Sequence, residues 1–182
     1  MTVRGLALTC LASILLSAAA APPLHAQADK SERADKSERG DKAEKGGKLP
    51  RFASLRSGEV NVRTGPGPRF PVDWVFVRRD MPVEIVAEFE TWRKIRDAEN
   101  TEGWVHQSML SPRRYVLVTG EEMRLMRKTP NDDAPMAARV EPGVIGQLLQ
   151  CEQAWCRIQV AKVTGWIRRD LVWGIYQDED VN

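Results

Sequence analysis

The sequence has few of the residues on which metal sites and nucleophilic active sites are usually built. Its 182 residues include three cysteines and two histidines. A structural zinc site takes four ligands, mostly Cys and His, and a nucleophilic cysteine or serine usually needs a histidine base within hydrogen-bond reach. We therefore predict a protein with no metal and no other cofactor.

Charge of one sign is not in excess either. The chain has 27 basic and 25 acidic residues, a formal net charge of +2. A nucleic-acid surface needs a concentrated basic stripe, so we expect no nucleic-acid partner. No apolar run reaches the roughly 20 residues of a permanent membrane helix, so we expect no transmembrane segment in the mature chain.

The first residues have the layout of a secretory signal. Arg4 supplies the positive start, Leu6 to Ala21 the apolar stretch, and Ala26-Gln27-Ala28 the small-residue cleavage site. We predict a signal peptide over 1–28 and an exported protein, periplasmic or extracellular. A retained membrane helix is disfavoured because the run is short and ends in two prolines. A lipid anchor is disfavoured because Cys10 lies inside the run.

Three near-identical hexads follow the signal: DKSERA, DKSERG and DKAEKG. They contain no large apolar residue and cannot bury a core that offsets the entropy of ordering. We predict a disordered, charged, low-complexity linker over 29–52.

Beyond the linker, short alternating apolar runs are bounded by Gly, Pro and Asp, which is typical of all-β domains. The same order recurs 63 residues later. Trp92-Arg93-Lys94-Ile95 matches Trp155-Cys156-Arg157-Ile158, and Gly103-Trp104-Val105 matches Gly165-Trp166-Ile167 after a one-residue deletion. A single helical turn is expected over Gln107 to Leu110.

The alignment of the two repeats also makes position-by-position predictions. It places Val60 and Val62 opposite Met123 and Leu125, Val77 opposite Val140, and Asp80 opposite Gly143. We predict two tandem small barrels, 53–113 and 114–177, and an acidic tail at 178–182. A domain of about 60 residues is marginally stable alone, so we expect the two to pack together. Trp173 and Tyr176 are expected to seal the second barrel.

The repeats resemble the bacterial SH3-like domains. The resemblance is carried by Asn61-Val62-Arg63-x-Gly-Pro-Gly, the later Trp-x-x-Ile, and Gly-Trp-Val followed by x-x-x-Leu. Residues 54–114 are most similar to an exported alphaproteobacterial SH3-like family of uncharacterised function. The resemblance implies SH3-like barrels that bind cell-wall peptide, peptidoglycan or an envelope protein. In the second repeat Lys128-Thr129-Pro130 stands at the Gly-Pro-Gly position, which puts a ligand site there in doubt.

The stretch NVRTGPGP, residues 61–68, could be a phosphate loop or a turn. A P-loop requires Lys and then Ser or Thr after its last glycine, at the start of a helix. Here Pro68, Arg69 and Phe70 follow, and then another strand. We interpret the stretch as a turn in which Gly65 and Gly67 are able to take positive φ and the prolines fix φ beside them. In SH3-like barrels this loop flanks the ligand groove.

Cys151 and Cys156 remain after export as an even pair in an oxidising compartment. They flank four residues that can turn a hairpin, which favours a structural disulfide. A redox-active pair is the alternative, although that chemistry usually uses Cys-x-x-Cys spacing. The repeat alignment places Glu88 and Arg93 at the same two positions, so we predict a cross-strand ion pair there.

We expect the protein not to be an enzyme. After export His106 is the only histidine, and we expect it to be structural or merely exposed. A carboxylate pair acting in a hydrolase stays open as an alternative, as does an envelope adaptor without a groove ligand. The candidates for ligand binding are aromatic residues and two cations: Phe70, Trp74, Trp92, Trp104, Arg63 and Arg69. Arg63 or Arg69 is expected to hold a ligand carboxylate.

Overall fold

The computed structural model describes residues 47–181, which form two consecutive units of seven β-strands each. The first unit contains β1 (Arg51–Leu55), β2 (Val60–Arg63), β3 (Val72–Phe76), β4 (Pro82–Phe89), β5 (Trp92–Arg96), β6 (Glu102–His106) and β7 (Leu110–Ser111). The second contains β8 (Tyr115–Val118), β9 (Arg124–Arg127), β10 (Met136–Val140), β11 (Ile145–Glu152), β12 (Trp155–Val160), β13 (Val163–Arg168) and β14 (Val172–Trp173). A 3-10 turn precedes β7 at Gln107–Met109, as expected, and another precedes β14 at Arg169–Leu171.

The two units have the same antiparallel topology. The strand order is β3-β2-β6-β5-β4-β1-β7 in the first and β10-β9-β13-β12-β11-β8-β14 in the second. The prediction of an all-β tandem repeat is therefore confirmed. Strand β1 begins at Arg51, two residues inside the range predicted as linker. The predicted signal peptide and most of the predicted linker lie outside the described residues.

Each unit encloses a small apolar core formed by one face of its strands. In β5, Arg93 and Ile95 point inward while Trp92, Lys94 and Arg96 lie on the other face. The buried core residues of the first unit are at most 8% exposed. Burial of a side chain such as Leu55 or Ile95 stabilises the fold by about 1.5–3 kcal/mol.

The predicted repeat alignment is wrong at β2 and β9. The exposed Met123 and Leu125 cannot be the counterparts of the buried Val60 and Val62. The counterpart of Val62 is Met126, because the next residue in each unit pairs with the equivalent tryptophan, Trp104 on β6 or Trp166 on β13. The loop before β9 is one residue longer than the loop before β2, and a one-residue shift exchanges the two faces of a strand.

The same shift affects β3 and β10. Val77 was aligned with the buried Val140, but Val77 is 76% exposed, and Phe76 holds the corresponding register position. After β3 and β10 the predicted alignment of the two repeats is correct again. Asp80 and Gly143 have φ of 63° and 80°, and their amides donate to Leu55 O and Val118 O respectively.

Both cross-strand predictions at the β4–β5 and β11–β12 hairpins are confirmed. Cys151 and Cys156 are directly paired across the strands and form a disulfide, with their Cα atoms 4.1 Å apart. At the same positions of the first unit, Arg93 Nε lies 3.2 Å from Glu88 Oε1. The two units thus link equivalent strand positions by different chemistry.

The two units pack against each other through aromatic rings. The Phe52 ring lies 5.0 Å from Trp173 and 4.7 Å from Tyr176, measured between centroids. The Tyr176 hydroxyl donates to Glu84 Oε1 at 2.7 Å, and burial together with this hydrogen bond raises the pKa of Tyr176 above its ordinary range. The expectation that Trp173 and Tyr176 seal the second barrel is therefore wrong. Trp173 ends the edge strand β14 and Tyr176 follows it, and both contact Phe52 of the first unit instead.

The chain after β14 folds back onto the second unit. Ile175 is buried with that unit's core, and Val181 packs on the same core. Glu179, from the predicted acidic tail, accepts hydrogen bonds from Arg114 at 2.5 and 3.1 Å. Burial would raise the pKa of Glu179, but hydrogen bonds from Arg114 and from the Tyr176 amide outweigh it, so the pKa lies below its ordinary value of 4.5.

The lowered pKa of Glu179 gives the fold an acid-sensitive contact. A depressed folded-state pKa contributes stability that is present above about pH 4.5 and lost as the pH falls through the folded-state value. We expect Glu179→Gln to lower the free energy of unfolding by about 1 kcal/mol at pH 7. In denaturation series from pH 7 to pH 3 the difference from the native chain should shrink. An equal difference in the free energy of unfolding at pH 7 and at pH 3 would contradict this. The control is Glu122→Gln at an exposed position, which should leave the free energy of unfolding unchanged at both pH values.

Candidate functional site

The outward face of β5 and β6 carries two half-buried tryptophans with cationic and polar neighbours. Trp92 pairs directly with His106, and Lys94 pairs with Trp104. The Trp92 and His106 rings meet edge to face with centroids 5.5 Å apart. Residues Trp92, Lys94, Trp104 and His106 are called the first tryptophan face below.

The edges of this face are set by neighbouring strands. Phe89 is paired with Trp92 and is 51% exposed, which extends the aromatic surface. Lys94 Nζ lies 2.5 Å from Glu102 Oε2, and this hydrogen bond is the main reason that the pKa of Glu102 lies below its ordinary value. Lys94 therefore carries its own counter-ion.

The second unit repeats this arrangement. Trp155 pairs with Arg168, whose guanidinium carbon lies 5.8 Å from the ring centroid, and Arg157 pairs with Trp166. These four residues are called the second tryptophan face. Trp155 and Trp166 were not among the predicted site residues. The repeat alignment had nonetheless placed them opposite Trp92 and Trp104, and that signal could have identified them.

Trp74 does not join the first tryptophan face. It lies on β3 opposite the buried Val62 and packs on the core beside Phe76, with ring centroids 6.1 Å apart. Its inward direction follows from strand alternation, since it shares a strand face with Phe76. The prediction that Trp74 belongs to a contact surface with Trp92 and Trp104 is not supported by this placement.

Arg63 supports the loop that follows β2. Its Nη1 donates to Phe70 O at 2.7 Å and to Pro68 O at 3.3 Å. In the second unit Arg127 Nη1 donates to Ala134 O at 3.0 Å in the same way. Arg63 thus supports its own loop through Nη1, and its binding of a ligand carboxylate stays a prediction.

The loop itself is a turn, as predicted, but for a different reason. Gly67 N donates to Gly65 O at 3.0 Å, and neither glycine has positive φ. Glycine is required at position 65 because a Cβ atom there would overlap the ring of Phe70. Phe70 thus covers the turn, and the exposed Arg69 guanidinium lies 5.2 Å from its ring centroid.

The corresponding loop of the second unit keeps this geometry despite its different sequence. Asn131 N donates to Thr129 O at 2.8 Å, and Ala134 N donates to Asn131 O at 3.2 Å. Ala134 stands where the first unit has Phe70, so the second loop lacks the covering ring.

His106 closes a turn. Its Nδ1 lies 2.7 Å from Ser108 Oγ and also accepts from the Ser108 amide, which caps the 3-10 turn. Over residues 47–181 there is no group of three or more His, Cys, Asp or Glu side chains placed to hold a metal ion. No helix in that range has the length and apolar character needed to cross a membrane.

Comparison with known protein families identifies the two repeats. The model of the bacterial SH3 domain matches the chain twice, over residues 56–112 and 120–174. The search of the curated proteins returns no match to this chain.

Similar solved structures include NlpC2 and NlpC1 of Trichomonas vaginalis and an NlpC/P60 family protein from Bacillus cereus. Their sequence identities are 14%, 13% and 13%, with TM-scores of 0.33, 0.32 and 0.31. The matches cover 72%, 71% and 72% of this chain but 51%, 48% and 58% of those proteins, so the chain spans about half of their length. At these TM-scores the likeness carries no argument about ligand or activity. The two matches to the domain model, which together cover more than half of the sequence, show that the chain belongs to the bacterial SH3 domain family.

Proposed function

We propose that the protein is an exported, non-catalytic module that binds the peptide portion of peptidoglycan through its two tryptophan faces. The observation that carries the proposal is the repetition of one arrangement, two half-buried tryptophans with a cation beside them, on the same strands of both units. Bacterial SH3 domains are typically cell-wall binding modules, and a disulfide is compatible with an oxidising compartment.

The chemistry of the two faces suits a peptide ligand. Tryptophan is enriched among the residues that dominate binding energies, because a half-exposed indole buries a large area at a low entropy cost. Arg157 is exposed beside Trp166 and can meet a carboxylate of the peptide. Two faces on one chain also raise retention on a polymer, because the second contact is intramolecular.

Retention on purified peptidoglycan sacculi tests this proposal. We expect the native chain to be retained, and Trp92→Ala/Trp104→Ala and Trp155→Ala/Trp166→Ala each to weaken binding at least about tenfold. Combining all four substitutions should abolish retention. Val77→Ala, which removes an exposed apolar side chain outside both faces, serves as the matched control and should bind normally.

Circular dichroism separates loss of binding from loss of fold. A folded fourfold variant retained as well as the native chain would contradict the role of the faces. Failure of the native chain itself to bind sacculi would contradict the cell-wall ligand and direct the search to an envelope protein partner.

A further inference from the structure

A groove in the first unit lies on the opposite side of β5 from the first tryptophan face. It has a volume of about 470 Å³ and an apolar floor with polar walls. Its lining includes Arg51, Ala53, Ile85, Arg93, Gln107, Leu110 and Arg114. Arg93 points into this side of the sheet while Trp92 and Lys94 point away, so the groove is separate from the faces described above.

The walls of the groove are rich in guanidinium groups. Arg51 and Arg93 both contact the same oxygen of Glu88, Oε1. One carboxylate therefore balances two guanidinium charges, and one positive charge is left over. Arg114 is paired separately with Glu179. The groove consequently favours an acidic occupant.

The equivalent space in the second unit is filled by the chain itself. The floor residues Ala53, Ile85 and Leu110 correspond, by strand register, to Val116, Leu148 and Val172. Those three residues and Ile175, which belongs to the C-terminal segment, are all members of the buried core of the second unit. The first unit has no such filler, because its chain leaves the groove at Pro112 to enter the second unit.

Polar contacts hold the C-terminal segment in this place. Arg169 is the counterpart of Gln107, since both open the 3-10 turn, and its Nη1 donates to the carbonyls of Tyr176, Gln177 and Glu179 at 2.8 Å each. Arg114, the counterpart of Arg51, binds the Glu179 carboxylate. The segment makes a turn in which Glu179 N donates to Tyr176 O at 3.3 Å.

We propose that the groove of the first unit binds a short acidic segment of another protein, in the way that the second unit binds its own residues 175–181. The ligand would place an aliphatic side chain on the floor formed by Ala53, Ile85 and Leu110. A carboxylate four positions later would meet Arg51, as Glu179 meets Arg114. Gln107 would face the peptide backbone where the second unit has Arg169.

Fluorescence anisotropy with a labelled peptide of residues 174–181, GIYQDEDV, tests the proposal on the full chain. We expect saturable binding that weakens about tenfold when glutamine replaces the peptide's Glu179. Gln107→Arg, which installs the residue of the second unit, should tighten binding about tenfold by adding charged hydrogen bonds. Gln107→Glu should weaken it by a similar factor while still accepting the hydrogen bond from Arg93.

The control is Gln159→Glu, which makes the same charge change as Gln107→Glu but on the exposed surface of β12, and it should leave binding unchanged. Absence of binding, or binding unaffected by both Gln107 substitutions, would overturn the proposal, since exchange of the peptide into the second unit does not involve Gln107. Displacement of the peptide by soluble peptidoglycan fragments at lower concentrations than by unlabelled peptide would assign the groove to the cell wall, and would also overturn it.

Discussion

Replacing Arg169 by alanine is expected to lower the free energy of unfolding by about 3 kcal/mol. The side chain is 2% exposed, and its Nη1 is within 2.8 Å of three carbonyl oxygens of the C-terminal segment. A hydrogen bond from a charged donor contributes roughly 1.5–3 kcal/mol. Three acceptors share the two hydrogens of one nitrogen, so the expected loss is well below the sum of three full bonds.

Chemical denaturation of the full chain measures this loss. The neighbouring Arg168→Ala is the control, because Arg168 is partly exposed and its contacts with Asp132 and Asp170 are 3.4 Å long. We expect that control to change stability by no more than about 1 kcal/mol. A cost below about 1 kcal/mol for Arg169→Ala would show that the segment is not held by this guanidinium.

Replacing Gly103 by alanine is expected to lower the free energy of unfolding by about 2–3 kcal/mol. A Cβ atom at this position would overlap the Cγ1 atom of the fully buried Val62, and would lie 3.0 Å from Trp74 Cη2 and 3.3 Å from Arg63 O. These neighbours are core side chains and backbone, which can move only at the expense of packing elsewhere.

Alanine substitution of two further glycines is expected to cause smaller losses of stability. Gly58→Ala meets no atom within 4 Å and should change stability by less than about 0.5 kcal/mol. Gly165, the counterpart of Gly103, would place its Cβ atom 3.1 Å from Arg127 O and from Cβ and Cε of Met126. These contacts are tight but none is an overlap like that with Val62, so its substitution should cost less. Thermal denaturation that ranks Gly58 as the most sensitive of the three would contradict this account of the sheet contact.

Much of the fold could be predicted because its signals are local. Alternation of apolar residues predicts strands, and a repeated Trp-x-x-Ile and Gly-Trp pattern predicts that the units are copies. The disulfide and the ion pair between Glu88 and Arg93 also follow from local sequence. In each case a short hairpin brings two nearby positions face to face.

Other features depended on contacts that local sequence does not encode. A single extra residue in the loop before β9 shifted the alignment and exchanged buried with exposed positions. The aromatic contact of Phe52 with Trp173 and Tyr176 joins residues more than a hundred positions apart. The sequence also does not show that Arg63 Nη1 donates to two carbonyls of its own loop.

The difference between the two grooves was also invisible in the sequence. The strand positions that line them correspond, but one groove is filled by the chain after β14 and the other is open. Because the filling segment lies outside the repeated pattern, only the folded chain reveals where it packs. The copies thus share one scaffold and differ in accessible surface.

The measurement that tests the central claim most directly is an NMR titration of the tryptophan indole N–H signals with soluble peptidoglycan fragments. The chain has six tryptophans, each giving one signal. Binding through the two faces predicts that the signals of Trp92, Trp104, Trp155 and Trp166 shift, while those of Trp74 in the core and Trp173 between the units stay in place. If none of the four signals shifts at saturating fragment, or if only those of Trp74 and Trp173 shift, the claim is contradicted.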